Sequence, residues 1–222
     1  MSLSSVNIYR PRNTELNNSY VILCNTKDAA SSFLDIFNKT RHNRNARGAP
    51  TDEEQDLLRA MLIFSSSGLD SMVKQIIIDG LEKIIFIHQG ALEMFKKFVE
   101  RRLKRKDEFD YKFLANIIAD KNPQNILVNE LIEELTSNSI QSVDQLFKVF
   151  SFFDIASQSI IDNPELLRKI FKTRNEIAHE MDVDFSQPNR NRRPRSRQDM
   201  IKYTKTILIV ASTLLRKVDE KL

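Results

Sequence analysis

The chain has 222 residues, of which 41% are apolar and 29% charged, and its net charge is +4. That length holds one sizeable domain or two small ones with a real core, but 4 Gly and 6 Pro are too few for a strand-rich fold built on tight turns. One cysteine, Cys24, excludes an internal disulfide scaffold, and no stretch approaches the ~20 apolar residues of a membrane span. Met1 to Arg12 lacks a signal-peptide core, so a cytoplasmic, mostly helical protein with no membrane partner is expected.

Residues 1–26 are polar and Asn-rich apart from the short apolar run Tyr20–Cys24, and they read as an N-terminal arm; residues 27–222 read as a helical domain. Helical periodicity starts near Lys27 and runs through Phe33, Ile36 and Phe37, followed by a basic connection from Arg41 to Pro50. Thr51-Asp-Glu-Glu54 has the form of a capping box, in which the Thr51 hydroxyl takes an exposed amide and Glu54 reaches back. Leu58, Met61, Leu62, Leu69, Met72, Val73, Ile76 and Ile77 then recur on one face of a long helix ending near His88–Gly90, with Gly68 and Gly80 as points of bending or splitting. A shorter helix runs from Ala91 to about Lys106. Asn122-Pro123 and Asn163-Pro164 each place a cap before a first-turn proline, and Ser142-Val-Asp-Gln145 is a second capping box. The last helix follows Ser196 and carries Met200, Tyr203, Ile207, Val210, Leu214 and Val218 at three- and four-residue steps. No period-two pattern competes, so the expected fold class is all-α, a bundle of about six to eight helices.

The positive charge is clustered. Arg41, Arg44 and Arg47 form one group; Lys96, Lys97, Arg101, Arg102, Lys104, Arg105 and Lys106, offset by Glu100, form a second. Arg190, Arg192, Arg193, Arg195 and Arg197 form a third with no acid among them. Clustering of this kind suits phosphates, which dominate sequence-independent nucleic-acid affinity. For the second group a solvated helix face is an equal alternative. The arginine-only group favours phosphate contact, because guanidinium forks meet phosphate oxygens in pairs.

The helix opening at Pro164 carries the chemistry. At about 100° per residue, Ile170, Phe171, Ile177, Ala178 and Met181 lie within roughly 80° of Leu167, and Arg174 falls in the middle of that apolar stripe. A charge facing a core is costly unless paired or used, so Arg174 meets either a buried acid or a site. Asn175 and His179 lie at the polar boundary one turn apart, where Asn175 can fix the imidazole tautomer. Arg174 and His179 are about 140° apart on an ideal helix. Convergence requires a loosened helix end, an Arg side chain that wraps round, or a second subunit. On the long helix, Ser66 and Asp70 are four residues apart, and Ser65 interrupts the apolar stripe there. From the residues alone Asp70 reads as a surface acid beside small packing serines. Three scattered His and one Cys show no metal-ligand spacing, and no cofactor-binding glycine motif occurs.

Arg174-Asn175-Glu176-Ile177-Ala178-His179, followed by the Asp182–Phe185 turn, the arginine loop and one final helix, resembles the HEPN superfamily and within it the RiboL-PSP-HEPN branch. The resemblance implies a helical, metal-independent endoribonuclease acting on RNA (tRNA or mRNA), in toxin or defence biology, as a homodimer with its cleft at the interface and with a neutralising or regulatory protein partner. It implies His179 as general base or acid, Arg174 as the phosphate-positioning cation, Asn175 as their support, and Asp70 as the polar residue from an earlier helix. Arg190, Arg192, Arg193, Arg195 and Arg197 would bind RNA. The alternative is a non-catalytic HEPN-like module that holds RNA or a protein.

Overall fold

The computed structural model describes residues 2–44, 48–105 and 108–222. Arg47 and Lys106 of the basic clusters lie outside them. Among the described residues there are eight α-helices: α1 (Asn17–Arg44), α2 (Asp52–Ile87), α3 (Gln89–Leu103), α4 (Tyr111–Ala119), α5 (Pro123–Thr136), α6 (Val143–Phe152), α7 (Pro164–Glu180) and α8 (Arg197–Asp219). Two two-residue strands, β1 (Lys104–Arg105) and β2 (Glu108–Phe109), pair antiparallel between α3 and α4.

The bundle is organised round α2, which packs against α1, α8, α3, α5 and α7. Its capping box forms as expected: Glu54 N–H donates to Thr51 Oγ1 at 3.3 Å and Thr51 N–H to Glu54 Oε2 at 2.9 Å. The glycines do not break the helix. At Gly68 a Cβ would sit 2.0 Å from Thr26 Oγ1, so the missing side chain lets α1 and α2 approach closely. By length and hydropathy α2 would suffice to cross a bilayer, but Leu58, Leu62, Leu69, Ile76 and Leu81 are all inside the protein core.

Two elements differ from the sequence pattern. α1 starts at Asn17, ten residues before the clear periodicity, because Leu23 joins the core from within the Tyr20–Cys24 run. Upstream, Leu3, Val6 and Leu16 are buried, and Asp219 Oδ2 accepts from Tyr9 Oη at 2.6 Å and from Arg12 N–H at 3.0 Å. The polar arm therefore docks on the end of α8. α4 was not apparent from periodicity; it begins where Asp110 accepts from Phe113 N–H at 3.0 Å.

Candidate functional site

α7 starts where Asn163 accepts the Leu166 amide at 2.8 Å, with Pro164 in the first turn. Its stripe buries Leu167, Ile170, Phe171 and Ile177. Ala178 and Met181, placed on that stripe by angle alone, are exposed, Met181 at 67%. The stripe leaves the core at the helix end, where Met181 closes α7 in a left-handed conformation (φ 51°) and Asp182 follows at φ 61°.

Arg174 is buried, while Asn175 and His179 are exposed. Despite the separation on the helical wheel, Arg174 reaches the imidazole within one chain: its Nη1 lies 3.4 Å from His179 Nε2 and 3.1 Å from Asn175 Oδ1. α7 stays helical to Glu180, its closing Met181 and Asp182 amides reach back to Glu176 O, and the Arg174 side chain spans the rest of the distance. A guanidinium only donates, so the geometry suits the neutral ring with Nε2 bare and the proton on Nδ1. Burial pushes the Arg174 pKa down, and the Asp70 carboxylate opposes that shift. Arg174 Nε is buried with no hydrogen-bond partner among the described residues.

The shortest contact to Arg174 comes from a residue that the sequence did not single out. Gln141 Oε1 accepts from the same Nη1 at 2.6 Å. Gln141 sits in the turn between α5 and α6, and two bonds fix it there. Ile140 N–H donates to Asp70 Oδ1 at 2.7 Å, and Gln141 N–H donates to Gln145 Oε1 at 2.8 Å. The second capping motif thus forms only in part: Ser142 Oγ takes the Gln145 amide at 3.1 Å, but Gln145 Oε1 accepts from the Gln141 amide and the Ser142 hydroxyl rather than from the Ser142 amide. Asp70 does not touch Arg174. Its other oxygen pairs with Lys74 at 3.2 Å, so it acts on Arg174 through charge and through the turn that presents Gln141.

The arginine loop is tied to the end of α7 and to α2 by intrachain ion pairs. Asp182, with no exposed surface, accepts from Arg59 Nε at 2.7 Å, from Arg195 Nε at 2.9 Å and from Arg195 Nη2. Arg195 also pairs with Glu176 at 2.8 Å. Burial lowers the Arg195 pKa, but the hydrogen bonds and charges of Asp182 and Glu176 outweigh it and leave the pKa raised. Arg192 pairs with Asp56 at 2.5 Å and Arg193 with Glu180 at 3.3 Å. Arg197 Nε donates to Asn38 Oδ1 at 3.1 Å. Arg190, exposed at φ 49°, forms no ion pair among the described residues. Acids brought from α2 and from the end of α7 therefore occupy three of the five guanidinium groups and tie the loop down. Members of the other basic clusters are paired likewise: Arg41 and Arg44 with Glu54, Lys96 with Glu93, Arg101 with Glu134, Arg102 with Glu130.

A groove of about 510 Å³ opens beside Arg174, lined by Gln141, Ser142, Arg168, Lys172 and Asn175 among others. No group of three His, Cys, Asp or Glu side chains able to hold a metal occurs among the described residues. The site thus offers an exposed imidazole with a fixed cation against it, an arrangement suited to moving a proton beside a phosphate. The sequence profile of the RiboL-PSP-HEPN family matches residues 25–220. Comparison with curated proteins and with solved structures gives no match.

Proposed function

The chain belongs to the RiboL-PSP-HEPN family, and on that premise we propose that it is an endoribonuclease that cleaves RNA without a metal by attack of the 2′-hydroxyl. The observation that carries this reading is the Arg174 Nη1–His179 Nε2 approach of 3.4 Å, next to a groove that the Arg174 partners Gln141 and Asn175 line. His179 Nε2 takes the proton from the 2′-oxygen, which bonds to phosphorus as the P–O5′ bond breaks, leaving a 2′,3′-cyclic phosphate and a 5′-hydroxyl. Arg174 neutralises the charge growing on the phosphate oxygens. Asn175 and Gln141 hold the guanidinium in place, with Asp70 behind Gln141 as a positioning residue.

The imidazole of a second copy would serve as the acid that protonates the departing 5′-oxygen, so a homodimer is part of the proposal, as is a role in toxin or defence biology under a neutralising partner. Total tRNA and a single-stranded DNA, each incubated with the protein in EDTA, test the reaction. Cleaved RNA beside intact DNA is expected, since DNA lacks the nucleophile. RNA that is bound but never cut would leave the non-catalytic binding module.

A further inference from the structure

The loop arginines are largely occupied within the chain, which leaves open how a polyanion is held at the site. Along α7 the residues Arg168, Lys172, Asn175 and His179 follow at steps of four, three and four, so they share one helix face. Arg168, Lys172 and Asn175 line the same groove. Lys172 is exposed and forms no ion pair among the described residues. The acids that also line the groove, Glu176 and Glu180, are held by Arg195 and Arg193. Arg168 pairs with Asp144 at 3.2 Å and Glu165 at 3.5 Å, but those acids are 74% and 85% exposed. Pairs so wet contribute at most about 1 kcal/mol and yield readily to a phosphate. One turn separates the two cations, about 6 Å along the axis, a step that the flexible backbone of a single strand can match.

We propose that Lys172 and Arg168 form a phosphate track on α7, along which a single-stranded RNA backbone runs to the Arg174–His179 pair. The track rests on the ribonuclease reading above and identifies the substrate-holding residues of that site. It recognises backbone charge only, so single-stranded DNA occupies it as well and is spared for want of a 2′-hydroxyl.

The test uses the full-length His179→Ala protein, which keeps the RNA intact, and a fluorescein-labelled uridine octamer read by anisotropy between about 50 and about 200 mM salt. Each phosphate contact adds about 0.7 to the slope of log affinity against log salt for a single strand. Lys172→Gln is therefore expected to reduce the slope by about 0.7, and Arg168→Gln to reduce it similarly. Lys112→Gln, on exposed α4, should leave it unchanged, and an unlabelled thymidine octamer should compete. In the otherwise wild-type enzyme, Lys172→Gln should raise KM and leave kcat as it was. An unchanged slope in Lys172→Gln, with RNA still bound and still cut by the wild type, overturns the track alone. If the parent protein binds no octamer and the wild type cuts none, the ribonuclease reading falls and the track with it.

Discussion

Two positively charged regions lie side by side in this protein and meet opposite fates. The loop from Asp182 to Ser196 holds four arginines, yet Arg192, Arg193 and Arg195 face Asp56, Glu180, Asp182 and Glu176. The outer face of α7 holds only Arg168 and Lys172, yet it borders the groove that the Arg174 partners Gln141 and Asn175 line. Charge density along the chain thus says little about charge available to a ligand. What decides is where the acids arrive: Asp56 comes from α2, more than a hundred residues away, and Asp182 is a fully buried hub. The loop holds the end of α7 in place, and the helix presents the chemistry.

The largest expected effect lies on the helix. Replacing Arg174 by Ala should lower the rate of RNA cleavage by about 10²–10³-fold, the usual loss when a group stabilising transition-state charge is removed, with thermal stability little changed or raised, since a buried charge goes with it. A single-turnover assay and a melting curve check this; a variant that still cuts at the full rate breaks the assignment. On the loop side, Asp182→Asn should act on stability first. It leaves Arg59 and Arg195 without their shared buried partner, a loss of about 3–5 kcal/mol for a broken buried pair, read by urea unfolding. If instead Asp182→Asn leaves the unfolding midpoint unmoved, the loop is not the brace described here.

Gln141 sharpens the contrast further. Gln141→Glu places a carboxylate on the nitrogen that also meets His179. The added negative charge favours the imidazolium, so the acidic limb of the pH–rate profile should move to higher pH. A limb that stayed where it was would contradict the closeness of Gln141 to the imidazole. The smallest effect belongs to Asp56. The hydrogen bond from Arg192 pushes its pKa below the ordinary 3.8, with burial opposing. A carboxyl depressed in the folded state stabilises fully above its unfolded value, and that contribution is lost as pH falls through the folded one. Asp56→Asn should therefore be less stable than wild type at neutral pH by no more than about 1 kcal/mol, and the gap should close on acidification below about pH 3.8. A gap that persists in acid would show that the pair is not its source.

Much of this was open to reading in the sequence, for local reasons. Thr51 and Glu54, Asn163 and Pro164, and Ser196 mark helix starts by chemistry within four residues, and α2, α7 and α8 begin where those marks fall. The Arg174–His179 pair was visible as a spacing, but its closure within one chain depends on the reach of a long side chain, which a wheel projection cannot show. Gln141 could not be found at all. It lies 33 residues upstream of Arg174 on another element, and its only local sign is the Ser142–Gln145 motif whose glutamine turns back to hold it. The partners of the loop arginines were hidden for the same reason: they are distant in the chain.

The most direct measurement is end-group analysis of RNA incubated in EDTA with the wild type and with His179→Ala, each shown by circular dichroism to be folded. The account predicts fragments ending in 2′,3′-cyclic phosphate and beginning with a 5′-hydroxyl from the wild type, and a rate lower by about 10²–10⁴-fold from the variant. Equal cleavage by both proteins, or fragments carrying 5′-phosphates, would contradict it.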